Sequence, residues 1–522
     1  MFQVYVETGL KPVSTRFKFL NTYLKLERRF MRKIPRTMST QHPDNVTMPF
    51  FTEGTSFSGE DEIKEAYYVF SHLRCDEQMW DCEGKEVDEF VVKKLLTRYD
   101  NFFKNRRIGK DLYITLRVPN PTIEKSEAKI LLETLESVPR SYDTAALFYG
   151  EKDNIPPIFE VILPMTTNTE FINRVYHYYR NFVVGKQHRR CFESDNLTIR
   201  EWIGEFKPET IEVIPLFEDI PYMLSADIII QNYLKDKPFP YQRVFIGRSD
   251  PALNYGMLPA ILVVKIALQR LHTLQERLKI PIYPILGLGS NLFRGNLTPL
   301  NVDECIREFP SVQTFTIQSA FKYDYNEGLA RNAIEKINSH KRTVPIPIDE
   351  EIALEITERL ASAYREQIKE LASLINEIAM FVPRRRMRKL HIGLYGYSRS
   401  VEGVSLPRVI SFCASLYSIG MPPELLGLHY LTEKDIAFLR TAYPAFLDDI
   451  SLAATYYNSD VKKLISPKIA MDIEKTLSMI KYTENLLHSE YTSQIINAFL
   501  FKKEETITEN IIAAGKLRSF LG

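Results

Sequence analysis

Short apolar runs alternate along the chain with longer runs of helical periodicity. The short runs are rich in valine, isoleucine, phenylalanine and leucine and are mostly bounded by glycine, proline or aspartate, which predicts β-strands. Eight strands separated by helices predict an α/β fold of the (β/α)8 TIM-barrel type rather than an open sheet. The first of them fits the end of a helix equally well. The candidate strands are Tyr67–Cys75, Leu112–Val118, Ile158–Leu163, Ile211–Leu216, Arg243–Ile246, Ile282–Leu286, Val312–Ile317 and Leu390–Leu394.

The longest helical pattern follows the seventh candidate strand. Asp349 can cap a helix that begins at Glu350. Apolar residues then recur at three- and four-residue steps from Ile352 to Ile378, which predicts one buried face. From Val409 onward the pattern is also helical. We therefore predict a helical region packed on the barrel at residues 409–522.

Composition and charge narrow the class of protein. The chain has 522 residues, of which 45% are hydrophobic and 25% charged, as is ordinary for a globular enzyme. A net charge of +1 argues against a bulk nucleic-acid or acidic-membrane partner. Its five cysteines form no C-x-x-C pair, which indicates neither a zinc site nor a disulfide framework and favours a reducing cytoplasm. No uninterrupted apolar run approaches the roughly 18 residues that span a bilayer.

Polar residues follow the candidate strands at their carboxyl ends. In a barrel these ends converge on one mouth, where catalytic residues lie. Carboxylates there bind Mg²⁺ together with substrate oxygens, and arginines grip phosphate and carboxylate groups. A salt bridge at a loop explains any one of these residues, but it explains a full ring of them poorly. The residues are Asp76-Glu77-Gln78, Arg117, Pro164-Met165-Thr166, Glu218, Arg248-Ser249-Asp250, Arg294, Gln318 and Arg399.

The stretch from Thr37 to Asn45 is the most distinctive of the chain. Its proline forbids a helix and its Asp-Asn pair suits a turn, so His42 is expected on a loop. From a loop a histidine can exchange a proton near neutral pH. The stretch resembles the signature of the archaeal-type phosphoenolpyruvate carboxylases. The same likeness recurs at segments 75–81, 289–295, 316–319 and 395–399, and covers about residues 31–522.

The resemblance implies an enzyme that carboxylates phosphoenolpyruvate with bicarbonate to oxaloacetate and phosphate, through carboxyphosphate and the enolate of pyruvate. Segments 215–218 and 247–250 are similar to those that supply the family's metal carboxylates. Glu218 and Asp250 are therefore the expected ligands of Mg²⁺ or Mn²⁺. The remaining expected roles are catalysis by His42, Arg294, Gln318 and Arg399, and substrate binding by Arg117, Arg248 and Arg408.

Further expectations come from the same resemblance. It implies a homotetramer inhibited by a C4 acid such as aspartate or malate, with residues 517–522 near the effector site. Met31 stands where family members begin, so the resemblance implies an N-terminal extension at residues 1–30 and a barrel with the active site at 31–408. An amphipathic interaction segment is the alternative interpretation of residues 1–30. Asn296 departs from the pattern, which has a second glycine after Arg294-Gly295. Because asparagine tolerates left-handed conformations better than most residues, we expect the loop to keep its shape.

Two alternatives stay open from the residues alone. The absence of a G-x-x-x-x-G-K-[ST] motif argues against a nucleotide-dependent carboxykinase. One alternative is another Mg²⁺-dependent barrel lyase or aldolase that acts on pyruvate or oxaloacetate without bicarbonate. The other is a non-catalytic binding protein that uses the basic run 384–389.

Overall fold

The computed structural model describes residues 32–57, 59–83, 88–150, 155–235, 237, 239–387, 399–401 and 403–522. Eight parallel strands close into a barrel in chain order, so that the first strand pairs with both the second and the eighth. The predicted (β/α)8 barrel is therefore confirmed. A separate antiparallel hairpin follows it. The strands are β1 Thr37–Ser39, β2 Glu77–Asp81, β3 Tyr113–Arg117, β4 Glu160–Leu163, β5 Glu212–Phe217, β6 Gln242–Ile246, β7 Ile282–Leu286, β8 Thr314–Ile317, β9 Arg399–Val401 and β10 Val404–Leu406.

Helices surround the barrel and continue beyond it to the end of the chain. Those of the described residues are α1 Gly59–Ser71, α2 Val91–Arg98, α3 Asp100–Asn105, α4 Ala128–Tyr149, α5 Thr169–Tyr178, α6 Ile199–Ile203, α7 Ile220–Leu224, α8 Ala226–Leu234, α9 Ser249–Tyr255, α10 Met257–Leu278, α11 Val302–Glu308, α12 Ser319–Tyr323, α13 Glu327–Ser339, α14 Glu350–Ala379, α15 Val409–Ser418, α16 Glu433–Ala442, α17 Phe446–Ala454, α18 Pro467–Leu477, α19 Leu486–Leu500 and α20 Ile507–Arg518.

Six predicted strands are confirmed, each within two residues of its predicted ends. The strand predicted at Tyr67–Cys75 is wrong, because its first five residues are the end of α1 and Arg74 then turns the chain with a φ of 62°. The strand predicted at Leu390–Leu394 lies outside the described residues. Strands β1 and β2 were not predicted, so Glu218 and Asp250 follow the fifth and sixth strands rather than the fourth and fifth.

Strand β2 was not predicted because charged and polar side chains of this strand lie inside the barrel. Glu77 and Gln78, expected at a strand end, lie inside β2 and are fully buried. Glu77 Oε2 accepts a hydrogen bond of 2.7 Å from Arg243, which also pairs with Glu160 at 2.8 Å. These residues come from the amino-terminal ends of their strands, so the ion pairs close the bottom of the barrel. Above them apolar side chains, among them Met79, fill the centre.

A second core joins the barrel to the C-terminal helices and is built on α10 and α14. Helix α14 confirms its prediction, and Asp349 Oδ1 accepts hydrogen bonds from the main-chain N–H groups of Glu351 and Ile352 at 3.1 and 3.2 Å. Ile352 itself is 42% exposed and does not belong to the buried face. Among single helices of the described residues, α10 alone is long and apolar enough to cross a bilayer, but 78% of its apolar window is buried as core.

Candidate active site

The loop after β1 carries His42 to the mouth of the barrel. Thr40 Oγ1 lies 2.9 Å from His42 Nδ1, and the ring is half-buried. Gln41 Oε1 accepts a hydrogen bond of 2.8 Å from the main-chain N–H of Asp81, at the end of β2. The Gln41 amide also donates to Glu62 on α1. The loop is thus tied to the neighbouring strand and to a barrel helix, which fixes the position of the imidazole.

A buried ion cluster supports the same loop from below. Lys322 Nζ donates to the carbonyl oxygen of Thr40 at 2.9 Å and to Glu65 Oε1 at 2.6 Å. Arg386 donates to the same Glu65 oxygen at 2.7 Å. Burial alone raises the pKa of Glu65, but the Arg386 and Lys322 cations outweigh it and hold that pKa below its usual range. Glu65 is therefore ionised, and its charge keeps Lys322 under the histidine loop.

The basic run 384–389 is partly buried. Arg385 and Arg386 are 7% and 4% exposed. Arg385 donates to the carbonyl oxygens of Asn45 and Val46 at 3.2 and 2.7 Å. The alternative of a surface binding site on this run does not hold for these two residues, because their guanidinium groups bond inside the protein. Residues 388 and 389 lie outside the described part of the chain.

Arg117 is the last residue of β3 and lies between two carboxylates. Its Nε and Nη2 donate to the two oxygens of Asp81 at 2.8 and 3.0 Å, and Glu83 lies 3.0 Å from Nη2. Burial lowers the pKa of Arg117, but these carboxylates, with a contribution from Glu218, raise it well above its ordinary value. Two parallel hydrogen bonds to Asp81 therefore fix the plane of the Arg117 guanidinium group.

Glu218 and Asp250 follow the neighbouring strands β5 and β6, and both are half-buried. Glu218 Oε2 accepts a hydrogen bond of 3.1 Å from the N–H of Met165, at the end of β4. A Cβ at Gly247 would lie 3.0 Å from Glu218 Cγ, so the missing side chain leaves room for the carboxylate. Two hard oxygen donors suit Mg²⁺, which keeps several of its waters. In the described residues no group of three or more His, Cys, Asp or Glu side chains could hold a metal.

Arg294 lies in the 3₁₀ turn Leu292–Arg294 after β7 and is fully buried. Its Nη1 donates to the main-chain oxygen of Gly522 at 2.9 Å and to Asp44 Oδ2 at 3.2 Å, and its Nη2 donates to Gln318 Oε1. A Cβ at Gly289 would lie 2.9 Å from Arg294 Cζ, so the glycine allows the guanidinium to pack on the loop itself. The structure thus brings Arg294 and Gln318 together.

The C-terminal segment was not predicted to touch Arg294, and no local pattern indicates that it does. The N–H of Leu521 donates to the carbonyl oxygen of Asp44 at 2.7 Å. Arg518 Nη2 donates to the carbonyl oxygen of Leu521 at 3.3 Å, and its Nη1 lies 2.7 Å from His488 Nε2. Burial, together with the Arg518 charge, lowers the pKa of His488 to about 2, so this histidine is neutral and accepts the hydrogen bond. The other residue that Arg294 Nη1 contacts, Asp44, lies within the distinctive stretch from Thr37 to Asn45.

Glu424 bonds the Arg294 loop from the helical region and is fully buried. Its Oε1 accepts hydrogen bonds from the main-chain N–H of Phe293 at 2.6 Å and from the Tyr417 hydroxyl at 2.7 Å. Burial raises the pKa of Glu424 to about 7, although these two hydrogen bonds oppose the rise. The other titratable or charged groups that interact with it are Arg248, Tyr364, Cys413 and Arg518.

The three remaining predicted arginines lie in different settings. Arg248 is 2% exposed, its Nη1 donates to the carbonyl oxygen of Leu292 at 3.0 Å, and burial lowers its pKa. It therefore supports the underside of the Arg294 loop. Arg408 is half-buried at the N-cap of α15. Arg399 begins β9, and its side chain lies outside the described residues.

The chain is similar to known proteins over nearly its whole length. A model of the phosphoenolpyruvate carboxylase family matches residues 34–522. The phosphoenolpyruvate carboxylase of Methanospirillum hungatei is 54% identical over 491 residues, and that of Methanothermobacter thermautotrophicus is 51% identical over 490 residues. Each alignment covers 94% of this chain and 100% of the relative. A solved structure of Haloferax volcanii malate synthase in a magnesium/glyoxylate complex aligns with a TM-score of 0.39 and 9% identity, over 82% of this chain and 99% of that one.

Proposed function

Because the chain belongs to the archaeal-type phosphoenolpyruvate carboxylase family, we propose that the mouth of its barrel is where phosphoenolpyruvate is carboxylated. The enzyme is a carboxy-lyase whose substrates are phosphoenolpyruvate and bicarbonate and whose products are oxaloacetate and phosphate. The observation that carries this function is the 54% identity over 94% of the chain. This function replaces the two alternatives that the sequence left open, another Mg²⁺-dependent barrel lyase or aldolase and a non-catalytic binding protein. Incubation with phosphoenolpyruvate, bicarbonate and Mg²⁺, coupled to malate dehydrogenase, tests it through bicarbonate-dependent NADH oxidation.

The first step is attack of a bicarbonate oxygen on phosphorus, which breaks the bond to the enolate oxygen. Phosphoryl transfer needs positioning and charge neutralisation more than covalent help. Arg117, Arg399 and Arg408 supply positive charge to the transferring group. The double hydrogen bond from Arg117 to Asp81 supports this role, because it presets the plane of the guanidinium before substrate binds.

Glu218 and Asp250 are the proposed holders of a divalent cation, Mg²⁺ or Mn²⁺. The support is their position on adjacent strands and the space that Gly247 leaves beside Glu218. A cation bound there supplies charge neutralisation at the enolate oxygen and the substrate carboxylate. Glu218 is in turn oriented by the main-chain N–H of Met165, which limits the directions its carboxylate can face.

His42 is the proposed proton acceptor when carboxyphosphate splits into CO₂ and phosphate. Its Nδ1 lies 2.9 Å from Thr40 Oγ1, a contact that orients the imidazole ring. Thr40 is held through its carbonyl oxygen by Lys322. The enolate then adds its methylene carbon to CO₂, which forms the new C–C bond of oxaloacetate.

Arg294 is proposed to keep water away from the enolate. An open site would let water protonate the methylene carbon and give pyruvate, with the hydroxide combining with CO₂ to bicarbonate. The contacts of Arg294 with Gln318, Asp44 and Gly522 support a closed loop. Arg248, predicted to bind substrate, contributes from beneath as the cation that holds Leu292.

The test of these roles is the ratio of pyruvate to oxaloacetate formed per phosphate released. His42→Asn and Arg294→Ser are each expected to raise this ratio while phosphate release stays bicarbonate-dependent. Variants that slow but keep the wild-type ratio would show that both residues act elsewhere. The homotetramer, the cytoplasmic location, the aspartate or malate effector and the three-part division of the chain stay predictions. Light scattering and initial rates with each acid test the assembly and the effector.

A further inference from the structure

The loop after β7 is bonded to the helical region through the side chain of Asn296, a position where the resemblance implied glycine. Asn296 has a φ of 57°, the left-handed conformation expected to be tolerated by asparagine. Its side-chain Nδ2 donates to Asp449 Oδ1 on α17 at 2.9 Å. Asp449 in turn accepts a hydrogen bond from the Tyr443 hydroxyl. A glycine at this position would allow the same backbone conformation but would lack this contact.

The contact lies on the segment that carries Arg294. Asn296 lies two positions after Arg294, and its N–H donates to the carbonyl oxygen of Asn291 at 2.8 Å, which closes the turn. On the other side of Arg294, the N–H of Phe293 donates to Glu424. The loop is therefore bonded to the helical region on both sides of its arginine.

We propose that the Asn296–Asp449 hydrogen bond is a latch by which the C-terminal helices hold the Arg294 loop closed, and that it thereby sets the division of the enolate between oxaloacetate and pyruvate. Asn296 and Asp449 are positioning residues, since they act through Arg294. The inference rests on the proposed role of Arg294 and adds a second set of residues to it. Opening the latch exposes the enolate to water without removing any group that contacts it.

Exchange of the two side chains tests the latch. Asn296→Asp places two carboxylates opposite each other, and the pyruvate-to-oxaloacetate ratio is expected to rise about tenfold, which corresponds to about 1.4 kcal/mol. The double variant Asn296→Asp/Asp449→Asn restores the hydrogen bond with donor and acceptor exchanged. Its amide oxygen at 449 can still accept from Tyr443, so the ratio is expected to return to within about twofold of wild type.

Two further variants keep the test decisive. Asn296→Gly retains the left-handed backbone and removes only the side-chain contact, and it should raise the ratio even if the charged variant folds poorly. Asp435→Asn is the matched control, because Asp435 is a buried acid of the same region that bonds Thr432 and Arg359 instead of the loop. It should lower the melting temperature and leave the ratio unchanged.

The outcomes separate the latch from the role of Arg294. If Arg294→Ser raises the ratio and the Asn296 variants do not, the latch is wrong and the role of Arg294 stands. If the exchanged pair fails to restore the ratio raised by Asn296→Asp, the latch is also wrong. If Arg294→Ser itself keeps the wild-type ratio, the proposed role of Arg294 is overturned and the latch with it.

Discussion

Replacing Gly522 with alanine is expected to disconnect Arg294 from the C-terminal segment. A Cβ at Gly522 would lie 2.1 Å from the carbonyl oxygen of Ile410 and 2.6 Å from the main-chain nitrogen of Ala414. Both atoms belong to α15, whose backbone cannot yield locally. The C-terminal segment must therefore shift, and the 2.9 Å hydrogen bond from Arg294 to the main-chain oxygen of Gly522 is lost.

The size of the effect follows from that bond. A hydrogen bond to a charged group contributes about 1.5–3 kcal/mol. If the whole contribution is used to position Arg294 in the transition state, kcat/KM falls about 10- to 150-fold. The melting temperature should also fall, because Phe520 and Leu521 of the shifted segment are buried and Leu521 bonds Asp44. Steady-state kinetics in the malate dehydrogenase assay and a thermal melt measure the two quantities.

The control is Gly59→Ala, because a Cβ there meets no heavy atom within 4 Å. It should leave both quantities unchanged. A Gly522→Ala enzyme with kcat/KM within twofold of wild type would refute the argument. A double variant with Arg294→Ser provides a second check, since two residues that act through one contact lose less together than the sum of their separate losses. Additive losses would show that Gly522 acts independently of Arg294.

Three more predictions follow from the site. Glu218→Ala and Asp250→Ala should each abolish carboxylation with an unchanged melting temperature, because each removes one of two proposed metal oxygens; near-normal activity at limiting Mg²⁺ contradicts the assignment. The pKa of Glu424 is raised from 4.5 to about 7, so its share of stability is full below pH 4.5 and falls by about 3 kcal/mol by pH 7. In melts across this window, Glu424→Gln should lose less stability than wild type, and equal slopes would contradict this. A chain that begins at Met31 should keep full activity and melting temperature, since the family match starts at residue 34; a large loss of either would assign residues 1–30 a structural role.

Local pattern was enough to predict much of the fold. Six barrel strands and α14 follow from hydrophobic periodicity, because a buried strand or helix face requires apolar residues at fixed steps whatever its partners are. The cap of α14 at Asp349 was predicted for the same reason, since its hydrogen bonds are made within a few residues. The positions of Glu218 and Asp250 at the mouth follow from their place after strands, once the strands are known to form a barrel.

The formation of strands β1 and β2 depends on contacts with residues far along the chain. Glu77 is tolerated inside the barrel because Arg243, 166 residues away, neutralises it. The pair is fully buried, so its stability depends on a geometry that only the closed barrel creates. Prediction of buried strands from runs of apolar residues therefore did not identify β2.

For the candidate site, too, the sequence predicted one part and the tertiary structure decided the other. The sequence by itself determined which side chains could do the chemistry, because His42, Arg294 and Gln318 lie in recognisable segments. Only the tertiary structure decided what holds them. Arg294 meets Asp44 and Gly522, which are 250 and 228 residues away. Hydrogen bonds and ion pairs of this kind act over about 3 Å in space, whatever the distance along the chain, and no local period records them.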